Sequence, residues 1–195
     1  MFRSHEIGAG VVHTRLGLLF AVVALPLWAI ALGGASRNDM TVTMYHVNEQ
    51  GTAQEAGRIR ISETGHGVVF TPNLSGLSER SAGLHGFHIH QHGDCGPKGP
   101  DGETGPALAA GDHYDPEETG KHDTPWGSGH LGDLPPLFIS AEGRATQPVL
   151  APRLKQVAEL RGRALVVHAG GDNHADHPQA SGGGGARMLL SLIHI

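Results

Sequence analysis

The chain has 195 residues, of which 38% are hydrophobic, 30 are Gly and 12 are Pro, and its formal net charge is -5. This length suits one domain with a short appendage, and the many glycines and prolines favour a turn-rich β protein over a helical one. Because the chain is acidic and has no basic stripe, we predict no nucleic-acid binding.

Residues 1–35 have the pattern of a secretory signal peptide. Two arginines precede the uncharged run Leu16–Leu32, and small residues follow it. This order is typical of a cleaved signal, so we expect a mature chain that starts near Ser36 in an exported, oxidising compartment. The alternative is an uncleaved membrane anchor, because the run is at the lower edge of spanning length. Pro26 and the small residues after the run favour cleavage.

From Asp39 onward, short apolar runs alternate with turn residues, which predicts β-strands. Hairpin signals stand at Thr64-Gly65 and Glu142-Gly143. Roughly eight such strands at regular spacing predict an all-β antiparallel sandwich or barrel. The predicted strands are Thr41–Val47, Arg58–Ser62, Val68–Thr71, Gly83–Gln91, Leu137–Ser140, Ala145–Val149, Ala164–His168 and Ala186–Leu190.

Fifteen histidines are the outlier of the composition, and histidine is the commonest metal ligand. His88 and His90 are two apart on a predicted strand, so their side chains share one face and can bind one ion. His168 ends another strand. Between residues 93 and 133 lies a stretch with little periodicity, and a loop that long in a compact domain is functional or disordered. Its histidines and Asp133 predict that metal orders it.

The ligand types suggest two metals. Imidazole suits both copper and zinc, and copper(II) favours a tetragonal field of nitrogen donors. The loop residues His113, His122, His130 and Asp133 fit a closed, structural zinc site. Three histidines would remain for copper, unless one imidazole binds both metals, and His113 is the candidate for that bridge. A redox copper beside a redox-silent zinc indicates electron transfer to and from a small molecule.

Six motifs rich in Gly and His follow one another in a fixed order. Together with Pro148–Lys155 and Gly182–Arg187 they resemble copper/zinc superoxide dismutase of the bacterial periplasmic type, over residues 40–188. The resemblance implies an eight-stranded Greek-key β-barrel with an immunoglobulin-like sandwich architecture and long metal-binding loops. The motifs are Gly83–His90, Gly93–Cys95, Gly111–His113, Gly120–His122, Gly129–Asp133 and His168–Asn173.

The resemblance also implies roles for individual residues. His88, His90, His113 and His168 resemble the copper ligands, and His113, His122, His130 and Asp133 resemble the zinc ligands. Asp172 resembles an aspartate that links one imidazole of each set. Arg187 resembles an arginine that guides an anion to copper.

The C-terminus departs from the family pattern. Cys95 is the only cysteine, whereas the resemblance implies a disulfide from this position to a cysteine near residue 190, where the chain has Leu190. The last six residues also read like a translated sequencing adaptor. We therefore predict a superoxide dismutase domain over 36–189 and a non-native tail over 190–195.

From this resemblance we predict an enzyme that converts two superoxide anions to dioxygen and hydrogen peroxide with copper and zinc. On copper reduction, His113 is expected to release copper, take up a proton and deliver it to the product. The alternative is an exported copper-binding or buffering module with the same fold. We expect a periplasmic or otherwise exported protein without stable membrane association after signal cleavage. Both a monomer and a homodimer remain open.

Overall fold

The structure is a computed structural model that describes residues 39–193, so the predicted signal peptide and the last two residues lie outside the described part. Nine strands, all paired antiparallel, make up the described fold. They are β1 (Asp39–Asn48), β2 (Gly51–Thr64), β3 (Gly67–Leu74), β4 (Gly83–His85), β5 (Phe87–His90), β6 (Leu137–Ile139), β7 (Val149–Ala151), β8 (Ala164–His168) and β9 (Arg187–Leu192).

Seven strands form one sheet in the order β5-β8-β9-β1-β2-β3-β7, and β4 pairs with β6 in a second sheet. The long strands follow a period of two, as in β3, where Val68, Phe70 and Leu74 are buried and Thr71 is exposed. Their inward side chains form the main core of the barrel. The prediction of an all-β sandwich or barrel is confirmed.

Strands β5 and β8 are buried on both faces. On the inner face, Phe87 and Ile89 join the main core. On the outer face of β8, Val166 packs with Ala107 and Ala110 of the long loop. The loop therefore covers the outer face of the two strands that carry the predicted strand histidines.

Two strand predictions are wrong in detail. Gly83–Gln91 is not one strand, because the chain passes from one sheet to the other at Gly86. The amide of Gly86 donates to the carbonyl of Gly170, and its carbonyl accepts from the amide of His168. Ala145–Val149 is not a strand either: Ala145 makes a single bridge to Leu74 of β3, and the strand on that edge is β7.

Of the two predicted hairpins, the first is confirmed and the second is wrong. The turn at residues 65–66 joins β2 to β3 as a hairpin. The Glu142-Gly143 turn is present, with the amide of Gly143 donating to Ser140, but it joins two strands of different sheets. No named strand interrupts the chain between His90 and Leu137 in the described structure. Within residues 39–193, no helix has the length and apolar character needed to cross a membrane.

Candidate metal centre

The long loop is tied to β5 by two isolated bridges, between His88 and Asp133 and between His90 and His113. These bridges bring loop residues beside the outward histidines of β5, while the β5–β8 pairing brings His168 alongside. Three sets of candidate ligands result, and in each the ligand atoms lie within 4.8 Å of one another; the third, His88, His122 and Asp172, overlaps the two groups named next. The strand group is His88, His90, His113 and His168, and the loop group is His113, His122, His130 and Asp133.

In the strand group, the outer ring nitrogens are held by hydrogen bonds. His90 Nδ1 donates to the carbonyl of Gly111 at 2.8 Å, and His168 Nδ1 donates to that of Gly185 at 3.0 Å. The free Nε2 atoms of these two rings face each other at 3.3 Å. His88 has the opposite arrangement, since its Nε2 is bonded and its buried Nδ1 has no hydrogen-bond partner among the described residues. Each ring thus offers one lone pair to a shared point.

Electrostatics keep these rings neutral. Burial, reinforced by the neighbouring imidazoles, lowers the pKa of His88 and His90 well below the usual value. Burial also lowers the pKa of His168 to about 4. A neutral imidazole is the form that binds a metal ion, so the donor set fits a metal with nitrogen preference such as copper.

In the loop group, three imidazoles converge on one carboxylate oxygen. The Oδ1 atom of Asp133 lies 2.9 Å from Nδ1 of His113, 3.0 Å from Nδ1 of His122 and 3.3 Å from Nδ1 of His130. Although burial opposes it, the hydrogen bonds from these histidines hold the pKa of Asp133 well below its usual range. Three nitrogens and one carboxylate oxygen within this distance match the tetrahedral ligand set of a closed zinc site.

His113 belongs to both groups. Its Nδ1 is directed at Asp133, so its other nitrogen is left for the strand group. Its ring centroid lies 4.0 Å from that of His88 and 5.0 Å from that of His90. The His113 imidazole is therefore placed to bind a metal in each group. It would be the fourth copper ligand that the sequence-based count lacked.

Asp172 connects the two groups by accepting a hydrogen bond from one histidine of each group. Its Oδ2 accepts a hydrogen bond from His88 Nε2, and its Oδ1 accepts one from His122 Nε2, both at 2.8 Å. Burial alone would lower the pKa of His122, but Asp133 and Asp172 raise it to about 9. Gly182 packs against this bridge with a φ of +75°, and a Cβ there would lie 2.3 Å from Asp172 Oδ1.

A cavity of 210 Å³ opens onto the strand group, lined by His90, His113, His168 and Arg187 among others. The guanidinium of Arg187 donates to the carbonyls of Ala107 and Gly111. Burial lowers the pKa of Arg187 and Asp112 opposes that effect, and an arginine stays charged in proteins. A fixed cation therefore stands at the opening to three candidate ligands.

The structure brings together every ligand named from the sequence, with Asp172 and Arg187 beside them. Cys95 lies apart, packed with Leu190 in the small cluster under the loop, and it is a free thiol. Strand β9 continues through the predicted tail boundary to Leu192, and Leu190 and Ile193 are buried. The residues just before and just after position 190 are therefore packed in the same way, without a change at the predicted start of the tail. Residues 194–195 lie outside the described part.

Sequence reasoning missed several supporting residues. Arg153 donates to the carbonyls of Gly129 and His130 and so fixes the end of the loop. Asp176 accepts from the amide of His122 at 2.9 Å. Neither residue has a spacing pattern, and their partners are backbone groups far away in sequence, so only the folded structure could identify them.

A β-barrel whose outer face carries two nitrogen-rich ligand groups with one imidazole in common defines a dinuclear metalloprotein. The profile of the family described as copper/zinc superoxide dismutase (SODC) matches residues 55–193. The chain belongs to the copper/zinc superoxide dismutase family, whose metals match the two donor sets.

Individual relatives agree with this assignment. The chain is 50% identical over 177 residues to a Cu-Zn superoxide dismutase of Photobacterium leiognathi, covering 90% of this chain and 96% of that one. The solved Cu/Zn superoxide dismutase from Brucella abortus is similar with a TM-score of 0.76 and 46% identity, over 80% of this chain and 99% of that one. The monomeric copper, zinc superoxide dismutase from Salmonella enterica gives a TM-score of 0.70 and 48% identity, with the same coverage of both chains.

Proposed function

We propose that the protein is a superoxide dismutase, which converts two superoxide anions and two protons to dioxygen and hydrogen peroxide. The observation that carries this proposal is the shared imidazole of His113 at the floor of a cavity that also holds the Arg187 guanidinium. The site thus combines a redox-capable ligand set with a cation for an anionic substrate.

In this proposal the strand group holds copper and the loop group holds zinc. Four neutral imidazoles suit copper, whereas three imidazoles and one carboxylate suit a closed zinc site. When bound, copper would supply one-electron redox chemistry, and zinc in the loop group would supply a fixed positive charge beside His113. Asp172 orients His88 and His122 by accepting a hydrogen bond from each.

Arg187 binds the substrate anion in this scheme. Two backbone carbonyls fix its guanidinium, so the side chain loses little further freedom when an anion arrives. Because the cavity is lined by His90, His113 and His168, an anion held by Arg187 is next to the strand group. The charge of Arg187 also raises the local concentration of anions.

His113 handles a proton in this scheme. Its Nδ1 hydrogen-bonds to Asp133, and with a metal of the loop group bound at that atom, the ring would carry its proton at Nε2, which is directed to the strand group. Burial lowers the pKa of His113 although the hydrogen bond with Asp133 opposes it, so the neutral ring is favoured over the doubly protonated one. The imidazole therefore delivers a proton to the reduced product within the cavity.

The cellular setting extends the proposal. The relatives named above are bacterial, which fits an exported form, and residues 1–35 would be the cleaved signal that leads to the periplasm or another exported location. In an oxidising compartment, Cys95 would pair with a cysteine near position 190 of the natural sequence. The monomeric Salmonella relative supports a monomer, with a homodimer as the alternative.

Metal analysis and an activity assay test the proposal together. Purified protein reconstituted with both metals should contain one copper and one zinc per chain and disproportionate superoxide. The variants His88→Ala and His113→Ala should lose nearly all activity, whereas His66→Ala, which changes an exposed turn histidine, should keep it. Bound copper without activity would instead identify a copper-buffering module, and full activity in both ligand variants would refute the assignment.

A further inference from the structure

A second charged side chain stands beside Arg187 at the cavity. Asp112 is exposed and directly precedes His113, and it lines the 210 Å³ cavity together with His113 and Arg187. It also lines a neighbouring cavity of 170 Å³ that again includes Arg187. The carboxylate and the guanidinium therefore face the same entrance.

The backbone of Asp112 is held in place. Its carbonyl accepts from the amide of Gln91 at 2.9 Å, and the preceding carbonyl, that of Gly111, accepts from Arg187 and His90. Within residues 39–193 the Asp112 side chain has no hydrogen bond and no ion pair of 4.0 Å or less, but it interacts electrostatically with Arg187. Its negative charge acts on the nearby Arg187 guanidinium, and the held backbone keeps that charge at the entrance.

Two more carboxylates lie at the neighbouring cavity. Asp101 and Glu103 line it with Asp112 and Arg187, so three carboxylates share this cavity with the guanidinium that would attract superoxide. An entrance optimised only for anion capture would not carry this excess of negative charge.

We infer that Asp112 is a specificity-determining residue that makes the entrance select small monovalent anions over multivalent ones. Its repulsion grows with the charge of the approaching anion, so an anion of two negative charges is repelled twice as strongly as superoxide. Asp112 slows superoxide entry modestly and excludes divalent anions such as hydrogen phosphate from Arg187 more strongly. The inference rests on the proposed role of Arg187 as the anion-binding residue.

The test compares Asp112→Asn and Asp112→Lys with the parent holoenzyme. Superoxide dismutases are among the enzymes that reach the diffusional ceiling, so kcat/KM for superoxide, measured by pulse radiolysis, reports entry. At low ionic strength Asp112→Asn should raise kcat/KM about two- to threefold, and Asp112→Lys should raise it further. The gain should shrink above about 0.15 M salt, where the Debye length falls to about 8 Å.

Phosphate binding gives a readout that is independent of turnover. At pH 8, the dissociation constant of inorganic phosphate, measured by ³¹P line broadening on the holoenzyme, should fall by about four- to ninefold in Asp112→Asn, the square of the change for superoxide. The control is Glu142→Gln, which removes the same charge from an exposed turn and should change neither quantity.

The outcomes separate this inference from the proposed function. If Arg187→Ala leaves both kcat/KM and phosphate binding unchanged, the role of Arg187 itself is wrong. If Arg187→Ala lowers both but Asp112→Asn changes neither, the inference about Asp112 is wrong. Equal gains in Asp112→Asn and Glu142→Gln would also overturn it, because the effect would then be one of net charge.

Discussion

His88 and His122 are joined through a single carboxylate, because the two oxygens of Asp172 accept one hydrogen bond from each imidazole at 2.8 Å. Each histidine belongs to a different ligand group. Burial opposes ionisation of this carboxyl, but the hydrogen bonds from His122 and His88 hold the pKa of Asp172 well below its usual range. The bridge therefore stays anionic and fixes the orientation of a ligand in each group.

The variant Asp172→Asn should weaken binding of both metals. An amide offers one oxygen acceptor and one NH₂ donor, so it would direct a donor at one imidazole N–H that needs an acceptor. Loss of such an orienting partner commonly reduces metal affinity by about 10–100-fold. Competition titrations with chelators for copper and for zinc would measure the loss, and unchanged affinities for both metals would contradict the bridging role.

Gly182 gives a steric test of the same bridge. In Gly182→Ala the new Cβ would lie 2.3 Å from Asp172 Oδ1 and 2.6 Å from His122 Nε2, so the bridge must move and both metals should bind more weakly. The matched control is Gly76→Ala, where φ is +71° but nothing lies within 4 Å of the added Cβ. Both variants carry the strain of a positive φ. Equal metal affinity in the two would contradict the prediction.

The metal-free protein should be most stable near pH 6.5. Burial lowers the pKa of His168 in the folded chain from the ordinary 6.5 to about 4, so the unfolded chain binds more protons as the pH falls below 6.5. Stability should drop by on the order of 3 kcal/mol from this residue by pH 4. The pKa of His122 is raised to about 9, so its stabilisation is complete below pH 6.5 and is lost as the pH rises through 9.

Thermal unfolding of the chelator-treated protein at several pH values would measure the loss of stability below pH 6.5, the acidic limb, and the loss above pH 6.5, the basic limb. His168→Gln should flatten the acidic limb between pH 6.5 and 4.5, while His66→Gln, at an exposed position, should leave it unchanged. A melting temperature that stays constant over that interval in the parent protein would show that the unfolded-state histidines do not drive the effect.

Introducing a thiol at Leu190 tests the predicted disulfide. Leu190 and Cys95 share the small cluster under the loop and line the same cavity. A bond between them would close a loop of almost a hundred residues, for which chain entropy suggests about 4–5 kcal/mol. Leu190→Cys should therefore raise the melting temperature under oxidising conditions relative to reducing ones. The double variant Leu190→Cys/Cys95→Ser should show no such difference, and a single variant that behaves in the same way would contradict the pairing.

The sequence predicted which residues the candidate site brings together, and their roles as ligands stay predictions. His88 and His90 are two apart on β5 and point outward, and the ligands of the loop lie in one continuous stretch of 93–133 that returns to β5. The pattern of alternating apolar residues likewise predicted the core strands, as in β3. For the strand residues, local periodicity determines which side chains share a face.

Contacts between distant segments could not be predicted in this way. The break at Gly86 depends on hydrogen bonds to Gly170 and His168, and nothing in the run Gly83–Gln91 indicates where it changes sheets. The need for a glycine at position 182 comes from Asp172 and His122, which approach it only after folding. Such positions are determined by tertiary packing, and a local sequence pattern does not predict contacts between distant segments.

The carbonyl of Gly111 accepts hydrogen bonds from both His90 Nδ1 and Arg187. A peptide oxygen has no rotatable bond of its own, so the ligand ring and the guanidinium share one rigid reference point. Their separation is thereby set by backbone geometry, and thermal motion of the loop would displace the two together. The distance between an anion held by Arg187 and the His90 ring would thus vary less than it would if the two side chains were held independently.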